Sequence, residues 1–270
     1  MWSWRGRVPS MLENKTIHYC WFGGSPLSAT AVRDIESWKR FAPGYEIKQW
    51  DETNFDVDSC AFASAAYKAG KWAFVSDYAR YKILIEQGGV YFDVGTELIK
   101  PLQPLENRVP FSAVEYFSRT VSSGLVLAAN AGDPWIQEVL DRYYDMEFRN
   151  DSDYLSSHTV NETMTNVFER HGYVRESREQ TVGKWTILGP DVFGPVYGFG
   201  GFHIKNETIS IHHYSGSWGD ESSKFRSRVE MRLTPFVGRR IAQITSRAVA
   251  ELRFRGFKEG MKKIFQLAKA

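Results

Sequence analysis

Residues 72–101, WAFVSDYARYKILIEQGGVYFDVGTELIKP, decide the fold. Phe74, Tyr78, Tyr81 and Ile85 recur at helical spacing, so a helix is expected over 74–87. Gly88-Gly89 is a helix stop, because the residue after a helix often turns left-handed and glycine does so without strain. Val90–Asp93 is a short apolar run that reads as a strand with Asp93 at its tip. Asp77 and Arg80 lie three apart and share a helix face. A surface ion pair is the bland account of that pair. Its place on an apolar helix feeding a strand that ends in a carboxylate favours a site, since ligands of α/β sheets bind beyond the C-terminal strand ends.

Upstream, Thr16–Phe22 (TIHYCWF) reads as a buried strand ended by Gly23-Gly24. Ser25 and Pro26 form a helix-start signal, and Leu27, Ala31, Ile35, Trp38 and Phe41 continue at helical spacing. Pro43-Gly44 stops that helix, and Tyr45–Trp50 reads as a second strand. A strand–helix–strand start argues for an α/β fold with a largely parallel sheet. A short helix over 60–69 comes next. Downstream, strands are expected at Phe111–Glu115, Gly124–Ala128 and Thr208–His213, and helices at Pro134–Glu147 and Leu155–Arg170.

The 270 residues suffice for one large domain and an appendage, with 43% hydrophobic and 24% charged residues. No uncharged apolar run of membrane-spanning length occurs, and MWSWRGRVPSML lacks the apolar core of a signal peptide. Cys20 and Cys60 fit neither a disulfide framework nor a zinc site, which favours a reducing cytoplasm. Residues 222–270 hold thirteen Lys/Arg against three Asp/Glu, whereas the rest of the chain is net acidic. That basic, apolar-studded segment is expected to be helical and to meet an anionic membrane surface, or else to pack as a solvated helix; no nucleic-acid motif accompanies it.

Several other residues carry chemistry. Strand alternation would put Tyr91, Asp93, Gly95 and Glu97 on one side if the chain stays extended, giving a two-carboxylate metal option of Asp93 and Glu97; capping of the next turn is the bland role for Asp93. His212 and His213 are adjacent on a late strand, so one of them faces a given site, and imidazole with carboxylates suits Mn²⁺. Ser215, Ser217 and Trp218 offer hydrogen-bond donors for phosphate oxygens. Trp21 precedes a double glycine where backbone can approach a ligand, although a core Trp is the simpler account.

The segments IHYCWFGG, SWKRFAPGYEIKQWDETNF, WAFVSDYARYKIL, GGVYFDVGTELIKPL and SIHHYSGSW, in this order, resemble family 32 glycosyltransferases across residues 16–218. This sugar-binding region with its DXD motif is shared with yeast mannosyltransferases and bacterial capsule enzymes. More distantly it is similar to the catalytic domain of clostridial glucosylating toxins. The resemblance implies a GT-A fold over 16–220, after an N-terminal tail at 1–15 and before a basic tail at 221–270. It implies a retaining transfer from a UDP- or GDP-sugar to a glycan or lipid-linked acceptor in cell-surface polysaccharide assembly. That places the enzyme in the cytoplasm, peripheral on the inner face of the plasma membrane. By position, Trp21 would stack on the base, Asp77 and Arg80 would hold sugar and ribose, and Tyr91 would line the nucleotide pocket. Asp93 would be the first DXD aspartate, His212 or His213 would complete a Mn²⁺ or Mg²⁺ shell with Glu97, and Ser217 and Trp218 would lie near the β-phosphate. The departure is Gly95, which stands where the family has its second DXD aspartate. A protein acceptor, or a non-catalytic nucleotide-sugar binder that lost its metal at Gly95, are the alternatives this leaves.

Overall fold

The computed structural model describes residues 11–151, 154, 159–195, 203–213 and 221–267. They form two compact units, one of residues 1–195 and 204–213, the other of 196–203 and 214–270.

The first unit is built on a seven-stranded sheet of order β2-β1-β3-β6-β5-β8-β7. Its strands are β1 (Thr16–Cys20), β2 (Glu46–Trp50), β3 (Gly89–Tyr91), β5 (Phe111–Val114), β6 (Val121–Ala129), β7 (Gln180–Val182) and β8 (Trp185–Leu188). The β1–β2, β1–β3 and β5–β8 pairs are parallel, while β6 runs antiparallel to β3 and β5, and β7 to β8. Five strands thus share one direction, the largely parallel α/β layout expected. A separate ribbon pairs β4 (Thr96–Leu98) antiparallel with β9 (Ser210–His212).

Helices α1 (Ala29–Phe41), α2 (Ala61–Lys68), α3 (Trp72–Gln87), α4 (Pro134–Tyr144), α5 (Val160–Arg170) and α6 (Pro190–Phe193) complete the unit. Helix α3 packs on β1 and β3, α5 on β6, and α1 on β4. Trp38, Tyr78, Tyr81, Tyr91, Tyr143, Phe168 and Trp185 are fully buried, so most of the aromatic surplus is core.

Local boundaries differ from the sequence reading for identifiable reasons. Helix α1 starts at Ala29 with Ser28 as its cap, the Ser28 hydroxyl accepting from the Ala31 N–H at 3.1 Å, and not at Ser25. The Ser25 carbonyl is taken instead by the Trp21 indole N–H at 2.6 Å, which holds that segment as a loop. Strand β3 ends at Tyr91, and the β4, β7 and β8 strands had no separate signal because each is three or four residues long.

The second unit contains α7 (Glu221–Val237) and α8 (Arg239–Leu267), which pack against each other. Gly238 joins them at φ 75°, and Gly256 at φ 76° interrupts α8 with non-helical backbone. Among the described residues no helix is long and apolar enough to cross a membrane.

Candidate active site

The chain runs from β1 outward to β2 on one side, then returns to β3 on the other. Such a switch point opens a crevice at the C-terminal strand ends. Trp21 follows the end of β1 there, and Asp93 follows the end of β3.

Arg80 organises the crevice. It lies on α3 with its side chain 3% exposed. Its Nε donates to the Ser76 carbonyl at 3.1 Å and its Nη1 to the Ser123 hydroxyl at 3.2 Å. Its Nη2 meets Asp77 Oδ1 at 2.8 Å and Asp93 Oδ1 at 3.1 Å. The guanidinium also lies over the Tyr91 ring, 4.8 Å from the centroid. Burial alone would lower the Arg80 pKa, but Asp93, Tyr91 and Asp77 more than offset that and hold it above its ordinary value. Asp77 is pushed up to about 7: burial raises it most, Arg80 pulls it back, and Asp93 raises it again. The pair is therefore no surface ion pair.

Asp93 is held from several sides. Its Oδ1 also accepts from the Tyr91 hydroxyl at 3.1 Å, and its N–H donates to the Gly124 carbonyl at 3.1 Å. A Cβ placed on Gly124 would come within 2.1 Å of Asp93 Oδ2. A glycine at this point of β6 leaves the carboxylate room in its present position. Ser123 beside it accepts from both Arg80 and the Tyr81 hydroxyl, the latter at 3.1 Å. The serine-serine-glycine run at 122–124 was legible in the sequence, yet nothing there tied it to Asp93.

The chain does not stay extended after Asp93. A turn closes with the Thr96 N–H donating to the Asp93 carbonyl at 3.1 Å. This re-aims Glu97 away from Asp93, against the simple alternation argument. Thr96 opposes His212 across the ribbon, and Glu97 opposes Ile211. Directly opposed residues share a face, so His212 shares the Thr96 face and Glu97 the other. The Thr96 hydroxyl points at the Gly124 carbonyl, 3.5 Å away, and Asp93 and Arg80 both act on the His212 imidazole. Burial pushes His212 down to about 4, with Asp93 opposing. His213 goes to the Glu97 face, its Nε2 2.8 Å from Glu97 Oε2, and its N–H donates to the Gly95 carbonyl at 2.8 Å.

The expected metal set of Asp93, Glu97, His212 and His213 is therefore divided. Asp93 and His212 belong to the Arg80 crevice. Glu97 and His213 instead gather with Asp34, one ligand atom from each lying within 4.8 Å of the others. Asp34 was missed, although a carboxylate inside the buried α1 stripe of Ala31, Ile35 and Trp38 was a signal. Gly95 has φ 123°, a backbone that side-chain-bearing residues rarely adopt. The missing aspartate is thus accompanied by a glycine-specific turn. Ser215, Ser217 and Trp218 lie outside the described residues.

Residues 28–112 match the family of glycosyltransferase sugar-binding regions containing the DXD motif. That span holds Asp77, Arg80, Tyr91, Asp93 and Gly95. Residues 28–112 of this chain thus carry a glycosyltransferase-type sugar-binding region. Among solved structures, the chain is similar to the PaToxG glycosyltransferase, with TM-score 0.46 and 18% identity over 58% of this chain and 69% of that one. No curated protein matches the chain.

Proposed function

We propose that the protein transfers a sugar, with retention of anomeric configuration, from a UDP- or GDP-sugar to a glycan or lipid-linked acceptor in cell-surface polysaccharide assembly. The observation that carries this reading is the constellation of Asp77 and Asp93 on the buried Arg80, set at the sheet's switch point inside the matched sugar-binding region.

In this reading Asp77 and Asp93 accept hydrogen bonds from hydroxyls of the donor sugar and ribose. Arg80 fixes both carboxylates and so sets the sugar's orientation, which is where positioning lowers the barrier. Trp21 lies at the β1 end for the base, while Tyr91, expected to line the pocket, is fully buried and acts by holding Asp93 through its hydroxyl. Cleavage of the sugar–phosphate bond leaves negative charge on the diphosphate and positive charge at the anomeric carbon. A divalent ion, when bound, supplies Lewis-acid neutralisation of that diphosphate. His212 is neutral at pH 7, so it donates or accepts one hydrogen bond without adding charge. Among the described residues around Asp93, the candidate ligands are this carboxylate, Asp77 and His212, and both carboxylates already meet Arg80. Ser217 and Trp218 are assigned to the β-phosphate by position alone.

The test is release of free nucleotide from a panel of UDP- and GDP-sugars by the purified chain. Slow donor hydrolysis by the wild type, lost in Asp93→Ala, supports the reading. Binding without hydrolysis for every donor would instead favour the non-catalytic binder, and full activity in Asp93→Ala would remove Asp93 from the site.

The basic helices support a second element of the proposal, an anionic membrane surface as partner. Phe236, Ile241, Ile244 and Phe257 are exposed, at 85%, 56%, 63% and 78%, on a segment rich in Lys and Arg. Basic helices with exposed apolar side chains bind anionic interfaces. Salt-sensitive sedimentation with phosphatidylserine vesicles, abolished in Phe236→Asp/Phe257→Asp, is the expected result; unchanged sedimentation refutes it.

A further inference from the structure

Asp34 occupies the buried stripe of α1, and its side chain is fully excluded from solvent. Its Oδ1 accepts from Arg33 Nη2 at 3.1 Å. Its Oδ2 is buried without a hydrogen-bond partner. A buried polar atom left unpaired is destabilising, more so when charged, so a native fold keeps one for a reason. Glu97 and His213 face this carboxylate, and their own Oε2 and Nε2 are 2.8 Å apart. Two donors held about 2.1 Å from one ion sit roughly 3 Å apart when adjacent and about 4.2 Å when opposite. A mutual separation within 4.8 Å therefore needs only small side-chain rotations to close on a single ion.

We infer that Asp34, Glu97 and His213 form a divalent-metal site on the face of the β4–β9 ribbon opposite to the one that carries His212. Two carboxylate oxygens and one imidazole suit Mn²⁺ or Zn²⁺ better than Mg²⁺ or Ca²⁺, which prefer oxygen alone. Among the described residues this is the one group of three such donors. Asp34 comes from α1, Glu97 from β4 and His213 from the residue after β9. An ion there ties α1 to the ribbon and fixes the strand end from which His212 meets Asp93. That consequence for the donor pocket rests on the sugar-transfer reading; the binding itself does not.

The test uses the full chain, stripped with chelator and titrated with MnCl₂ and ZnCl₂ by calorimetry and thermal unfolding, with MgCl₂ as the oxygen-preferring control. One ion per chain and a saturable rise in Tm are expected. Asp34→Asn and His213→Gln should each weaken binding by about tenfold or more, whereas Asp93→Asn should leave it unchanged. Co²⁺ in the same site should give visible d–d bands that disappear in His213→Gln, a readout independent of activity. His213 is partly exposed, so its variant keeps the test open where Asp34→Asn fails to fold. The assignment is overturned by no saturable binding, by wild-type affinity in Asp34→Asn or His213→Gln, or by loss in Asp93→Asn alone. Nucleotide-sugar binding is followed in parallel, by the metal-free chain and with excess Mn²⁺ or Mg²⁺. Its absence in every case removes the sugar-transfer reading and leaves the metal assignment standing.

Discussion

The β4–β9 ribbon carries two adjacent histidines back to back, and its two faces handle charge in opposite ways. On the His212 face, Asp77 and Asp93 share one buried guanidinium, and Arg80 has a partner for each edge of its fork. On the His213 face, Asp34 and Glu97 converge on an imidazole, and the cation paired with Asp34 is Arg33, 57% exposed. The first face is complete without any ion. The second leaves a buried carboxylate oxygen unmatched. A compensated carboxylate can bind neutral hydroxyls, while an uncompensated one attracts a cation, so the two faces are suited to different ligands.

The largest effect should come from breaking the compensated face. Among the described residues Arg80 is the cation that Asp77 and Asp93 share, and Arg80→Met removes it. Stranding the mostly buried Asp77 in this way costs up to about 3–5 kcal/mol, and urea denaturation should show it. Adding Asp77→Asn to Arg80→Met should recover part of that stability without recovering donor hydrolysis. A small loss in Arg80→Met alone would mean the crevice is wetter than its burial implies.

Gly124→Ala probes the same face more gently. The new Cβ would overlap Asp93 Oδ2, and the carboxylate, 34% exposed, can swing outward. The fold should survive while donor hydrolysis falls by about 100-fold, the scale set by displacing a reacting group by an ångström. Wild-type turnover would show that Asp93 does not need this position.

How far the sequence revealed these faces depended on how local the signals were. Helix α3, the double glycine and the strand ending before Asp93 all lie within one stretch, so periodicity and turn chemistry located them. The pairing of Asp93 with Gly124 crosses from β3 to β6 and leaves no local trace. Glu97 was misdirected because alternation holds only along an extended chain, and a turn at Val94-Gly95 breaks it. Asp34 shows the reverse: its signal was local, but its partners lie 63 and 179 residues further on. Adjacent histidines on a strand did predict divergence, and the ribbon register fixes which one goes where.

Gly95 lies at the hinge between the faces, and restoring the family's aspartate there is a smaller perturbation. An added Cβ meets nothing within 4 Å, so there is space, but φ 123° penalises any side chain. Gly95→Asp and Gly95→Ala should therefore both lose about 1–3 kcal/mol. If only the aspartate variant gained Mn²⁺ affinity, the His212 face would be a latent metal site. Equal losses with no gain would keep the faces as distinct as they now are.

The smallest effect concerns protons. His18 and His212 are both held down to about 4 by burial, and the unfolded chain protonates them near 6.5. Between those values the unfolded state binds their protons and the native state does not, so stability falls as pH drops from 6.5 toward 4. Asp77 has the opposite sign. Raised to about 7, it keeps a proton in the native state that the unfolded state releases above its ordinary 3.8. Its contribution favours folding at acid pH and fades as pH rises through 7. Two histidines outweigh one aspartate below 6.5, and near pH 7 the remaining contributions cancel. From these groups, stability should rise from pH 4 to about pH 7 and level off above it, with slopes of up to about 1.4 kcal/mol per pH unit for each net proton. Asp77→Asn removes the opposing contribution and should steepen the rise between pH 5 and 7. Urea midpoints across pH 5–8 measure this, and an unchanged slope in Asp77→Asn would place the titrating group elsewhere than beside Arg80.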